Sequence, residues 1–301
     1  MFKRLVLAFL LSILSIVISA TVFADSIQLP QTGQTTCSDA NGNVIPCTGT
    51  GEDGALQEGV AWPSPRFTDN GDQTQTDNLT GLIWPKDGST PTVGSCTGGY
   101  MKWQGALDYV TCLNANNYLG HNDWRLPNIN ELKSLVNYGQ SSPAAWLDGQ
   151  GFNVRVAGQG NSSPPPPVPS SNYWSSTTNA DYTSGALYIE MLYGWVDDYS
   201  KSDPLNQNNY YVWPVRGGQS ASVGTSEILR TGQQASYYAG DDGALQEGAV
   251  WPSPRFTDNG NQTVTDNLTN LMWTRDAAAP GPSVCDAGPI NPSMTWPEAL
   301  Y

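Results

Sequence analysis

The sequence predicts an α+β domain, with two early helices and a later antiparallel sheet, followed by an incomplete second copy of the same domain. Three observations carry this. Two segments have apolar residues at helical spacing, short strand-like segments alternate with turn residues, and one 35-residue block recurs far along the chain. A low charged fraction (13%), with 31 Gly and 22 Pro in 301 residues, argues against a bundle or coiled coil and for short strands joined by turns.

The first strands come from a hairpin. Residues 66–69 and 72–76 flank Asn70-Gly71, a pair suited to the positive φ that tight hairpins need. Residues 78–81 make a second turn before a strand at Leu82–Trp84, and Gly81 becomes Asn270 in the repeat. Gly and Asn are the residues that best tolerate a left-handed backbone. A helix is expected over Met101–Asn114, because Trp103, Ala106, Leu107, Val110 and Leu113 share one face. A second begins with a capping box at Asn128 and Glu131, continues through Leu132, Leu135 and Val136, and ends near Tyr138-Gly139. A long irregular stretch, residues 141–171, holds Pro164–Pro167. Strands are expected again at residues 173–177, 186–191, 194–198 and 210–216, with Asp197 and Asp198 lying between strands.

Residues 53–87 and 242–276 are identical at 27 of 35 positions, at an offset of 189. Cys96 matches Cys285 at the same offset, and upstream Leu29–Gln34 echoes Leu229–Gln234. A period this long denotes tandem domains rather than a solenoid. The expected organisation is a signal peptide at residues 1–24, a disulfide-bearing segment at 25–52, a first domain at 53–217, a linker at 218–228 and a partial second copy at 229–301. The second copy stops inside an expected helix, so the chain reads as a fragment of a longer protein.

The leader has Lys3 and Arg4, an apolar run from Leu5 to Ile18, and small residues before Asp25. That is the pattern of a cleaved export signal. Its removal takes the side-chain charge from −14 to −16. Such acidity disfavours nucleic-acid binding, which relies on cations. Export places the chain outside the cytoplasm (periplasm, outer surface or medium), where disulfides persist. The second copy lacks counterparts of both Cys37 and Cys47, which pairs those two with each other. Cys96 and Cys112 then pair within the first domain, and the partner of Cys285 lies beyond Tyr301. Closely spaced Cys/His sets for zinc are absent, and the only histidine, His121, is expected in an exposed turn.

Five motifs stand in order: residues 67–71 (FTDNG), 77–84 (DNLTGLIW), 123–127 (DWRLP), 173–177 (YWSST) and 212–216 (VWPVR). Together they resemble the Legionella collagen-like adhesin (Lcl) C-terminal domain family, in full over residues 66–216 and in part over 255–301. The resemblance implies a C-type lectin-like relative working outside the cell. Its named member is a trimeric surface adhesin that binds sulfated glycosaminoglycans. This chain departs from that adhesin in lacking a collagen-like tract and in being acidic.

Within the motifs, Asp123, Trp124, Arg125, Leu126, Pro127, Glu131 and Trp174 are expected to be structural. Arg125 suits a bidentate pair with Glu131 or Asp123, while Trp124 and Leu126 suit a buried face. Asp69, Asp72 and Asp77 are the candidate calcium ligands, although the Asn70-Gly71 turn explains that segment without metal and Asp72 becomes Asn261. No metal or other cofactor is expected. No catalytic residue is assigned either, because hydrolase, zincin and phosphate-loop motifs are missing. The candidate binding residues are Tyr182, Tyr193, Trp195 and Tyr199, since Tyr and Trp give rigid contact area at low entropic cost. The expected function is a non-enzymatic binding or adhesion module whose partner is an extracellular ligand, a glycan among the options. A homo-oligomer is open. The alternatives are a carbohydrate-active enzyme with paired carboxylates and a structural spacer.

Overall fold

A computed structural model describes residues 26–154, 171–202, 210–217 and 226–277. The expected leader, the proline run, the partner of Cys285 and most of the linker lie outside the described residues. Among the described residues no helix is long and apolar enough to cross a membrane.

The chain opens with a strap, residues 26–62, whose two ends lie side by side: Val60 N–H donates to Leu29 O at 2.9 Å. Within it, β1 (Cys37–Ser38) and β2 (Val44–Ile45) form a short ribbon closed by the Cys37–Cys47 disulfide. A single helical turn, α1 (Asp53–Leu56), follows. Gly54 belongs there because a Cβ would lie 2.2 Å from the Thr36 carbonyl oxygen.

The hairpin forms, but through a longer turn than Asn70-Gly71: Gly71 (φ +78°) and Gln73 (φ +68°) take the positive φ, Asn70 does not, and the Asn70 amide donates to Thr74 O at 3.1 Å. Strands β3 (Phe67–Asp69) and β4 (Thr74–Asp77) pair antiparallel, and the Asp69 carboxylate accepts the Gly71 amide at 2.9 Å. β5 (Leu82–Pro85) continues the sheet after Gly81, whose φ is +72°, and Asn270 has φ +60° at the equivalent place. Helix α2 (Trp103–Ala115) buries its apolar face and is joined to the loop before it by the Cys96–Cys112 disulfide.

Arg125 resolves the choice left open by the sequence. Its guanidinium takes Glu131 through both nitrogens, at 2.6 and 2.7 Å. Asp123 instead pairs with Arg216 at 2.7 Å, which holds its carboxyl below the usual carboxylate range. The motif backbone is pinned by reciprocal bonds between Arg125 and Val215, both 2.9 Å. Trp124 and Leu126 are buried, and the capping box of α3 (Ile129–Lys133) forms with Asn128 as cap. Trp174 is buried too and donates its indole N–H to Met101 O.

α3 is shorter than expected. A continuing helix would bond the Tyr138 amide to the Ser134 carbonyl. Instead the Ser134 carbonyl accepts from Arg66 at 2.9 Å, and the Tyr138 amide goes to Thr32 O in the strap at 3.0 Å. Leu135 and Val136 remain buried without being helical. Residues 141–154 are not all irregular either. Ser142 caps a further helix, α4 (Pro143–Gly149), which has Pro at its first position and buries Leu147.

A second antiparallel sheet has the order β6 (Asn172–Thr178), β7 (Gly185–Glu190), β8 (Trp195–Ser200). Asp197 and Asp198 therefore lie within β8 and not between strands. Residues 210–216 do not make one strand. Tyr210, Tyr211 and Val215 form single bridges to Met101, Tyr173 and Arg125, and only β9 (Arg216–Gly217) joins a sheet, beside β5. Thr90 takes over both backbone groups of Val212 through its hydroxyl, at 2.7 and 2.9 Å. The fold is thus a mixed α+β arrangement of small antiparallel sheets. One core packs Trp84, Phe152 and Trp213 beneath the first sheet; the other packs α2 against Trp124 and Trp174.

The second copy repeats the first in detail. A second strap, residues 226–251, closes with Ala249 N–H on Ile228 O at 2.8 Å and carries α5 (Asp242–Leu245). Then β10 (Phe256–Asp258), β11 (Thr263–Asp266) and β12 (Met272–Thr274) rebuild the three-stranded sheet. Among the described residues its apolar face is open: Trp273 is 58% exposed where Trp84 is 0%, and Phe256 55% where Phe67 is 7%.

Candidate binding site

The second sheet builds the site. Its register places Asn172 opposite Glu190 and Glu190 opposite Trp195, with Tyr188 opposite Asp197. Residues paired across a sheet share a face, so these five side chains stand together. β6 is buried at every position, whereas β8 is an edge strand with its first three residues exposed.

The turn between β7 and β8 aims the aromatic pair. Gly194 N–H donates to Glu190 O at 2.8 Å, and Gly194 has φ +76°. A Cβ there would lie 2.6 Å from Val136 Cγ1, so the turn seats on Val136 only because the residue is glycine. Tyr193 and Trp195 flank it with ring centroids 4.9 Å apart, and Trp195 is 67% exposed.

Beside them lies a hollow of about 560 Å³, lined by Asn172, Tyr188, Glu190, Leu192, Tyr193, Trp195, Val196 and Asp197. That size lies within the roughly 300–1,000 Å³ of small-ligand sites. Two polar atoms of these residues, Asn172 Oδ1 and Glu190 Oε2, lie behind its surface, closed to water and without a hydrogen-bond partner. The other Glu190 oxygen accepts from Ser171 at 2.7 Å. Deeper in, Tyr210 packs on both Trp174 and Tyr188, each at 4.5 Å. Burial, reinforced by Asp197, raises the Tyr188 phenol above its ordinary value, so it remains a hydrogen-bond donor at neutral pH.

Tyr193 and Trp195 therefore come together, but Tyr182 and Tyr199 do not join them. Tyr199 pairs with Ala186 at the far end of the sheet, where Tyr182 packs against Gly185. Asn172, Tyr188, Glu190 and Asp197 complete the group. Their signal was the period of two in Tyr188/Glu190 and Trp195/Asp197, folded back by a Gly turn.

The three aspartates of the first hairpin have separate partners. Asp69 bonds Lys86, Asp72 bonds Thr74, and Asp77 is buried on Arg66. Among the described residues no three His, Cys, Asp or Glu side chains converge as a metal site. His121 is half-buried, with its ring edge on Trp124 and Nε2 3.5 Å from Asp72.

Residues 73–216, from β4 to β9, match the family model described as the Lcl C-terminal domain. They include the whole second sheet and the hollow. No curated protein matches the chain at a significant level.

Proposed function

We propose that the chain, whose residues 73–216 match the model of the Lcl C-terminal domain family, is an exported, non-enzymatic binding module that holds a neutral glycan at the Tyr193–Trp195 hollow. The observation that carries this is the exposed aromatic pair beside a hollow whose lining also holds Tyr188, Glu190 and Asp197. A sugar supplies both complements: a C–H face that packs on an aromatic ring, and hydroxyls that bond the polar groups of the lining. Glu190 and Asp197 make the rim acidic and oppose a sulfated polymer. The two disulfides and the family favour a location outside the cytoplasm. A C-type lectin-like kinship fits the two core helices and the antiparallel sheet.

The test titrates the full chain with neutral and sulfated oligosaccharides while tryptophan fluorescence is followed, then repeats the titration with Trp195→Ala. Saturable quenching by a neutral sugar, lost in the variant, is the expected result. Equal quenching in the variant, or binding of sulfated sugars alone, rejects the reading. Glu190 and Asp197 share the hollow, so mass spectrometry of the recovered sugar accompanies the titration. Cleaved sugar turns the module into an enzyme with paired carboxylates.

A further inference from the structure

We propose that the exposed face of the first strap, carried by Gln34, Asp53 and Glu58, docks on the α3–β6 face of a second complete copy of this domain, closing a pair about a pseudo-two-fold axis. The second strap already shows the docked form. Gln233 makes two bonds to the Thr178 backbone, at 3.0 and 3.3 Å. Asp242 accepts the Thr177 hydroxyl at 2.8 Å, and Glu247 O accepts from the Asn128 amide at 3.3 Å.

The first strap has the same equipment. Leu29–Val60 and Ile228–Ala249 close the two straps alike, which equates Gln34 with Gln233, Asp53 with Asp242 and Glu58 with Glu247. The Asp53 carboxylate accepts from Thr32, as Asp242 accepts from Thr231. Yet Gln34 and Glu58 are exposed and Asp53 half-buried, while Gln233 and Glu247 are half-buried and Asp242 buried. The contacts of the first strap with its own domain use other atoms. Thr32 O takes the Tyr138 amide, and Trp62 packs on Trp146 at 5.4 Å. One strap can therefore hold its own domain and a neighbour at once.

The axis follows from a reciprocal pair of bonds. Ile27 N–H donates to Leu268 O at 2.8 Å, and Ser226 N–H donates to Leu79 O at 2.6 Å. Leu79 and Leu268 are equivalent in the repeat, as are Ile27 and Ser226. Such exchange marks an isologous interface, in which i meets j and j meets i. An open head-to-tail array would not send the first strap forward to the second copy's turn.

The test uses the full chain with Gln233→Ala and Asp242→Ala, which removes the three side-chain bonds that hold the second strap on β6. In the parent chain the tethered strap outcompetes any other through effective concentration. In the variant, the first strap of one chain takes the vacated face of another, and the sedimentation mass doubles. Adding Gln34→Lys and Asp53→Lys returns the monomer, although the open sheet face of the second copy is unchanged. The milder Gln233→Ala gives an intermediate dimer fraction and guards against misfolding of the double variant. A mass that stays at the parent value in both release variants, or a dimer that survives the strap-one substitutions, overturns the proposal.

Discussion

Arg66 and Asp77 lock together through two parallel hydrogen bonds, Nε to Oδ1 at 2.7 Å and Nη2 to Oδ2 at 2.8 Å, with Asp77 fully buried. The Trp62 ring covers the guanidinium at 4.3 Å, and Asp77 also receives the Leu79 amide and the Thr80 hydroxyl. The second copy rebuilds the pair as Arg255 and Asp266, at 2.5 and 2.8 Å, in a more open setting. Removing one partner of a buried pair strands a charge, at a cost of about 3–5 kcal/mol. Asp77→Ala should lose that much in urea denaturation, and Asp266→Ala distinctly less, because Arg255 is reached by water.

The same pair sets an acid limit. Arg255, aided by the Leu268 amide and the Thr269 hydroxyl, holds the Asp266 carboxyl down to about 2. A carboxylate whose folded pKa lies below its unfolded value stabilises above the unfolded pKa, and that stability is lost as pH falls. The second-copy sheet should loosen between about pH 4 and pH 2. Asp266→Asn should flatten that limb in a circular-dichroism titration; an unchanged limb would assign it to other groups.

The disulfides test the scaffold. Cys96–Cys112 closes a 16-residue separation, for which chain entropy gives about 3 kcal/mol. The paired Cys96→Ser and Cys112→Ser variant should lose about that much in chemical denaturation. Loss of Cys37–Cys47 should loosen the ribbon together with α1, because Ser38 N–H donates to Glu52 and the Thr50 hydroxyl to Cys37 Sγ.

Much of this fold was legible in local chemistry. The Asn128–Glu131 capping box and the α2 stripe declare themselves within a few residues, and both cysteine pairs follow from comparing the two copies. Long-range competition was not legible. α3 ends early because Arg66 and Thr32, both distant in sequence, claim the backbone groups its next turn needs. Residues 210–216 alternate like a strand, but Thr90, Met101, Tyr173 and Arg125 divide them. The candidate site was half visible. Aromatic residues marked Tyr193 and Trp195, while Asn172 and Glu190 join them only through cross-strand register. α4 falls inside residues 141–171, expected to be irregular, because a helix of seven residues is too short to stand out from the prolines and small residues around it.

Gly194 tests the link between turn and site. Alanine there adds a left-handed backbone penalty of roughly 1–2 kcal/mol and drives a Cβ to 2.6 Å from Val136. Gly194→Ala should displace Tyr193 and Trp195 and weaken sugar quenching about tenfold or more, with the α2 core left intact. The amide exchange of α2 and the fluorescence titration, measured on one sample, separate a local effect from global unfolding.

The seating of the second strap should depend on pH through Asp242 and Glu247. Burial raises both carboxyls above their ordinary values; the Thr231 and Thr177 hydroxyls oppose this at Asp242, and Arg125 opposes it at Glu247. Glu131 and Asp241 face Asp242 as like charges, and Glu131 also faces Glu247. A carboxyl whose seated pKa is raised favours the seated state most strongly below its free pKa, and that contribution fades as pH rises through the seated value. The strap should therefore hold α3–β6 more tightly near pH 4 than at pH 7, the reverse of the Asp266 effect. Exchange of the Thr178 amide, which Gln233 covers at 3.0 Å, reports the seating once intrinsic rates are divided out. Asp242→Asn keeps an acceptor for the two hydroxyls and removes the charge, so protection should rise at pH 7 and its pH dependence should shrink. Protection that increases from pH 4 to pH 7 in the parent chain would mean that the Arg125 attraction outweighs burial at this junction.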